Sequence, residues 1–436
     1  MNDCMLDVGL MAMLCSVGSG LLTQPSVANF LTLATGWVLC RARRTTTGLI
    51  IAAGAVGSKH FGSYHRFFSQ AAWSPQELWL GILVKLIESL NPTGLIVLVG
   101  DGTVQGKCGR KISGTARWHN ACWGTRQQQR LLWGHNWIVL GLAVTVWGKA
   151  YCVPVNLRLY RKAADCLKTG RPYRSRGQLL LEMVREGCRA FPERPVVLLA
   201  DGQYASGDVL KSFPRNLTVL VRFRQDAALW EPGPRPRHRG IGRPHNKGER
   251  LPTPAHLAAD PRWPWNKTTG GAQYKSLVAL WYRVRRDRPV KVILVSLKNP
   301  KKPYACLLCT DPTWPEERIL STYAARWTIE ITIREAKQFA GLGDAQCRKA
   351  QAVERQGAFT LAMMGLVMGW YLSEGHKSDR MLKRPWYKRK AHPSFQDMLA
   401  HARRMSWCQV VSERSGCGPE VTENHLRLLH YLEAAA

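Results

Sequence analysis

The spacing of apolar residues changes several times along the chain, and each change predicts an element. Leu78 to Leu90 (LWLGILVKLIESL) repeats apolar side chains at helical intervals, and Asn91-Pro92 stops it. Leu95 to Val99 is a continuous apolar run, the mark of a buried strand, and it ends at Gly100-Asp101. Ile138 to Val146 and Tyr151 to Leu159 read as two strands of a hairpin turning at Gly148-Lys149. Gln178 to Ala190 has helical spacing, Pro195 to Ala200 is a second buried strand ending at Asp201, Ser206 to Ser212 a short helix, and Leu217 to Val221 a further strand. Strand-like runs return at Ser276 to Val284, Val290 to Leu297 and Tyr304 to Cys309, and from Thr322 the chain is helical to about Ser373, with a last helical stretch near Phe395 to Arg404.

Strand, hairpin, helix, strand, helix, strand predicts an α/β fold, a mixed sheet with helices packed on it. Residues 1 to 92 form a helical region, either a DNA-binding domain or a plain support for the core. Residues 93 to 372 form the α/β domain, interrupted at about 224 to 310 by a mostly β insertion, and 373 to 436 a basic helical tail. The insertion opens with a Pro-, Arg- and Gly-rich stretch, PGPRPRHRGIGRPHNKG, that cannot build a core. Its Gly242-Arg243-Pro244 suits either a minor groove or a surface loop.

Charge narrows the function. Sixty-two Lys and Arg against 30 Asp and Glu give a formal net charge of +32 over 436 residues. Such a balance calls for a polyanionic partner, nucleic acid before a membrane surface. The basic residues are scattered singly and in pairs, as on a folded surface that reads phosphates. Thirteen cysteines, an odd number at irregular spacing, point to reduced thiols in a cytosol. Cys306 and Cys309 form a CxxC within an apolar run, without a second CxxC at zinc spacing, and read as buried strand residues. No segment reaches roughly 18 apolar residues in a row, and Asp3 and Asp7 stand where a signal peptide needs positive charge. The expected location is the cytoplasm, with the bacterial nucleoid, and no membrane partner.

The candidate chemistry begins with Asp101 and Asp201. Each follows a predicted buried strand and precedes a glycine. At the carboxyl ends of strands in α/β sheets such carboxylates can hold a hard divalent cation between them, although Asp-Gly is also a common turn pair. The helix after Thr322 shifts the balance. At about 100° per residue, Tyr323, Arg326, Glu330, Arg334 and Lys337 share one narrow arc, beside an apolar arc of Ile329, Ile333, Ala336 and Ala340. One carboxylate among three cations and a tyrosine suits a group that binds metal while its neighbours grip phosphates. Phosphodiester chemistry needs an activated oxygen nucleophile and a stabilised leaving oxygen, which two metal ions on a few carboxylates supply. Glu335 points about 140° away from Glu330 and is secondary. Asp311 follows a strand and is a decoy carboxylate. His119 and His135 read as packing or phosphate contacts. Trp281, Tyr304 and Trp314 read as core, or as rings for a flipped base.

The spacing of Tyr323, Arg326, Glu330 and Lys337, with two, three and six residues between, resembles the Y-R-E-K signature of bacterial insertion-sequence DDE transposases. The text around it, YAARWTIEITIREAKQFAGLG, is similar to that group's third catalytic block. VLVGDGTVQGKCGRKISG looks like its first block and VVLLADGQYASGDVL like its second, so that the resemblance covers roughly 60 to 410. It implies a ribonuclease-H-like core with a β insertion between the second Asp and the Glu. It implies Asp101, Asp201 and Glu330 as catalytic ligands of Mg²⁺, which Mn²⁺ can replace, and Tyr323, Arg326 and Lys337 as contacts to transposon-end DNA. Arg334, on the same arc, joins them as a candidate. The expected partners are double-stranded DNA, at the ends and at the target, and a second subunit, since two ends must be joined. The expected reaction is cleavage followed by strand transfer. The alternatives are a nuclease without transfer and an inactive DNA-binding derivative. One departure stands in the first block, where relatives often carry a second aspartate and this chain has Gly102.

Overall fold

A computed structural model describes residues 6–119, 130–233, 247–297, 299–300, 302–378 and 390–415. The described chain opens on helices α1 (Val8–Ser19), α2 (Gln24–Leu39), α3 (Thr46–Ala52), α4 (Phe61–Ser69) and α5 (Pro75–Leu90). Strands β1 (Ile96–Gly106), β2 (Ala116–His119), β3 (Leu131–Val146) and β4 (Lys149–Tyr160) follow, then α6 (Ala163–Thr169), α7 (Arg176–Ala190), β5 (Val196–Ala200), α8 (Gly207–Leu210) and β6 (Leu217–Arg222). Next come α9 (Pro254–Ala259), β7 (Asn266–Lys267), β8 (Gln273–Ala279), α10 (Tyr282–Arg285), β9 (Val290–Ser296) and β10 (Tyr304–Cys309). The chain continues through α11 (Glu316–Ala324), α12 (Thr328–Gln338), α13 (Ala350–Ser373) and α14 (Phe395–Ser415).

Among the described residues all ten strands join one mixed sheet, in the order β2-β3-β1-β5-β6-β10-β9-β8-β7, with β4 also paired to β3. β3 runs antiparallel to both β4 and β1, whereas β5 lies parallel to β1 and β6 parallel to β5. The mostly β stretch between β6 and α11 continues the sheet through β10 instead of building a sheet of its own. Cys306 and Cys309 lie buried in β10 as free thiols. Gly242-Arg243-Pro244 falls outside the described residues.

Helices cover both faces. α7 is capped by Ser175, whose hydroxyl accepts from Gln178 N while the Gln178 side chain accepts from Ser175 N, a reciprocal cap at its start. α13 is buried on nearly every side, as expected of a helix apolar all round. α5 packs across it, and one hydrophobic cluster runs from Leu6 to Ala402. Among the described residues no helix is long and apolar enough to cross a membrane.

Two sequence expectations change here. The helix expected from Thr322 to Ser373 is three helices. A tight 3-10 turn at Ala325–Trp327 separates α11 from α12, and the segment from Phe339 to Lys349 separates α12 from α13. Gly341 and Gly343 in that segment have φ of +78° and +114°, values open to glycine and strained for other residues. β1 also does not stop before Asp101 but runs on to Gly106, for a reason that bears on the site.

Candidate active site

The last parallel pair between β1 and β5 is Gly100 with Ala200, and the next residue on each strand is an aspartate. Register partners on parallel strands project to the same face. Asp101 and Asp201 therefore stand side by side where the two strands part, both half-buried. Gly-Asp-Gly reads locally as a turn, but continued pairing with β3, Asp101 opposite Val139 through Gly106 opposite Gly134, keeps β1 extended. The faces of β1 are fixed by packing. A Cβ on Gly100 would lie 2.4 Å from Leu180 Cδ1, so the even-numbered face abuts α7. Asp101 faces the other way.

That other face carries α12. Ile329 and Ala336 are buried, the Ile329 Cδ1 atom lies 3.3 Å from where a Cβ on Gly141 of β3 would sit, and Thr332 donates to Cys152 O of β4 at 2.7 Å. With that stripe seated, Glu330 emerges beside the aspartates. Burial pushes the Asp101 carboxyl up to about 6, and the charges of Asp201 and Glu330 push the same way. The Gly102 N–H, donating to Asp101 Oδ1 at 2.7 Å, and the Arg326 guanidinium oppose them. Arg326 donates to Glu330 Oε1 at 2.7 Å. Burial would lower its pKa, but the bond to Glu330 and the charges of Tyr323, Glu330 and Asp201 hold it raised. The guanidinium is thus the internal counter-cation of three crowded carboxylates.

The remaining predicted residues extend along this face. Lys337 donates to Val104 O at 2.8 Å. Seven helical residues from Glu330 and three strand residues from Asp101 both span about 10 Å, so α12 and the free end of β1 run alongside each other. Arg334 is exposed one turn beyond Glu330. Tyr323 is in α11, not α12, and its hydroxyl lies 3.5 Å from Ala200 O. Burial, with Asp201 adding, pushes that phenol up to about 12, while Arg326 opposes. Glu335 points into the core and accepts from Phe395 N at 3.3 Å.

Other candidates are structural. Asp311 caps its own turn, accepting from Thr313 N at 3.0 Å. His135 is buried against Ser113 O at 3.0 Å, and burial pushes it down to about 4. His119 is exposed at the end of β2. Trp281 and Trp314 are buried and Tyr304 is half-buried, all in the hydrophobic cluster or packed against it.

Sequence reasoning missed three residues. Gln203 donates to Asp101 Oδ1 at 3.3 Å and accepts from Arg176 at 3.3 Å. Tyr204 is fully buried, and among the described residues its hydroxyl has no hydrogen-bond partner. Gln203 and Tyr204 lie just after Asp201 and were open to inspection. Arg176 is far away in sequence and gave no signal.

The donor set fits a hard cation in kind: three carboxylates, one of them driven toward its neutral form by burial and, to a smaller extent, by the other two, with a positive group already drawn among them. Among the described residues, no three His, Cys, Asp or Glu side chains are drawn up tightly enough to hold a metal ion as they stand. Glu330 is turned to Arg326 instead.

No curated protein matches the chain. A family model described as DDE superfamily endonuclease matches residues 21–276, taking in Asp101 and Asp201 and ending before Glu330. Because that match spans more than half of the 436 residues, the chain belongs to the DDE superfamily endonucleases.

Proposed function

We propose that this protein is a DNA transposase of the insertion-sequence group with the Y-R-E-K signature, which binds transposon ends, cuts them and transfers the freed strand. One observation carries the reading. Asp101 and Asp201 stand together where β1 and β5 part, and the helix bearing Glu330 lies against the same face. The strand run β4-β3-β1-β5-β6, antiparallel then parallel, supports a ribonuclease-H-like core, with residues 1–92 as the end-reading region and 373–436 as a basic tail.

Asp101, Asp201 and Glu330 are the ligands proposed for Mg²⁺ or Mn²⁺. Divalent ions there supply activation of an oxygen nucleophile and charge relief at the leaving oxygen. Arg326 and Lys337 grip backbone phosphates on either side of the carboxylates, Arg334 adds positive charge along the same helix, and Tyr323 positions the junction against β5. Double-stranded DNA is the partner, met by two subunits because two ends must be joined, and the nucleoid is the place of action.

The test uses the purified protein and duplex DNA from its own locus with flanking sequence, incubated with Mg²⁺ or Mn²⁺ beside a Glu330→Gln variant. The expected result is cut and joined DNA for the wild type, and bound but uncut DNA for the variant. Cut DNA that is never joined would reduce the protein to a nuclease. Tight binding without cutting under either ion would leave only a DNA-binding protein.

A further inference from the structure

The stretch from β4 to the start of α7 holds five arginines, and four of them are neutralised. Arg158 pairs with Glu186, Arg161 with Asp165 and Glu354, Arg171 with Glu354, and Arg174 with Glu182. Exposure does not explain the pairing, since the Arg174 side chain is 49% exposed. The fifth is different. Arg176 carries no carboxylate partner among the described residues. Its guanidinium lies 5.1 Å from the ring centre of Tyr160 and 5.9 Å from that of Trp118. Lys162 sits over Trp118 in the same way, at 5.1 Å. Trp118 is buried, fixed by its indole N–H on Gly134 O at 2.9 Å, so the shelf is rigid.

An aromatic face attracts a cation without cancelling its charge. A carboxylate cancels it. A guanidinium held on a ring keeps its N–H fork for another acceptor, and phosphate is the anion that fork fits. The direction is set as well. Arg176 donates to Gln203, and Gln203 donates to Asp101. Gln203 stands on the α7 face of β1, beside Gly102, whereas Arg326 and Lys337 stand on the α12 face.

We infer that Arg176, on the Trp118–Tyr160 shelf with Lys162 beside it, is a second phosphate-binding site, which holds the DNA backbone on the side of Asp101 away from Arg326 and Lys337. The inference rests on the reading of the protein as a DNA-cutting enzyme and adds to it the path of the strand. The backbone crosses the free end of β1, gripped from both faces of the sheet, with Asp101 between the grips.

The experiment measures binding of a duplex spanning one element end over a salt series, using the full chain as wild type, Arg176→Ala and Arg176→Lys. Single neutral methylphosphonates are then placed along the cleaved strand. Arg176→Ala is expected to weaken binding on the order of tenfold and to lower the log–log salt slope by about 1, the loss of one phosphate contact. Arg176→Lys is expected to keep the slope. One methylphosphonate position should weaken the wild type and leave Arg176→Ala unaffected. Wild-type affinity and slope in Arg176→Ala, or a methylphosphonate scan identical in both proteins, overturns the inference. So does a lost slope in Arg176→Lys, which keeps the charge should the alanine variant fold poorly. A wild type that does not bind the duplex at all overturns the proposed function together with this site.

Discussion

Three consecutive residues of β1 build two faces that do opposite work. On the α7 face, Gly100 and Gly102 present no side chain, and Leu180 of the buried α7 stripe fills the space over Gly100. On the α12 face, burial pushes the Asp101 carboxyl up to about 6, and the charges of Asp201 and Glu330 add to that. The first face is packed for stability. The second is held in a state that costs stability, as catalytic groups commonly are. Substitutions at these consecutive positions therefore separate the two kinds of work.

Asp101→Asn has the largest expected effect, and its sign is split. Cleavage should fall on the order of a thousandfold, as when one group serving a transition state is removed. Stability should rise. A carboxyl raised from 3.8 to about 6 on folding contributes fully below its unfolded pKa, and that contribution is lost as pH climbs through about 6, at about 1.4 kcal/mol per unit. At pH 8 the charged form costs at most roughly 3 kcal/mol, and asparagine escapes that cost. Denaturant melts of both proteins at pH 8 and pH 4 should show the gain at the first pH and none at the second. An unchanged or lower stability at pH 8 would mean that Arg326 already neutralises the site in full.

Gly100→Ala tests the opposite face. Its Cβ would approach Leu180 Cδ1 to 2.4 Å, Cδ2 to 2.8 Å and Cγ to 3.1 Å. Leu180 is fully buried and has little room to turn, so α7 must shift, at about 1–3 kcal/mol. Melting should drop accordingly, with cleavage per folded molecule close to wild type. A large loss of cleavage without loss of stability would show that the spacing of α7 and β1, and through it Gln203 and Arg176, sets the site.

The legibility of these features in the sequence follows the range of the forces that made them. The apolar run before Asp101, the stripe of Ile329 and Ala336, and the turn of Glu335 away from Glu330 are local periodicities, and all three stand in the structure. What local pattern missed was decided at a distance. β1 stays extended past Gly100-Asp101 because β3, distant in sequence, supplies ladder partners. The break at Ala325–Trp327 carries no proline or glycine to announce it, so the arc through Tyr323 and Arg326 is only approximate. Arg176 meets Gln203 through tertiary packing alone. The same holds for Arg326 as counter-cation, since the sequence shows a cation near Glu330 but not the two aspartates that draw it in.

Gly102 gives the smallest effect and the sharpest distinction. It stands where relatives of the resembled block often carry a second aspartate, and its place on the strand says what an aspartate would do here. A Cβ there would meet Tyr204 Oη at 3.4 Å, Ile138 Cδ1 at 3.6 Å and Gln203 Nε2 at 3.7 Å, ordinary contacts on the α7 face. No positive φ demands glycine at this position. Gly102→Ala should therefore stabilise by about 0.5 kcal/mol, through a less free unfolded chain, and leave cleavage within about twofold of wild type, since the site's carboxylates lie across the strand. Gly102→Asp goes further. Its carboxylate would lie beside the buried Tyr204 hydroxyl, which lacks a partner among the described residues, and not beside Asp201 and Glu330. Added to Asp101→Asn, it should restore no cleavage. If the double variant cuts DNA, residue 102 reaches the reacting phosphate after all, and the division of β1 into a packing face and a chemical face is wrong.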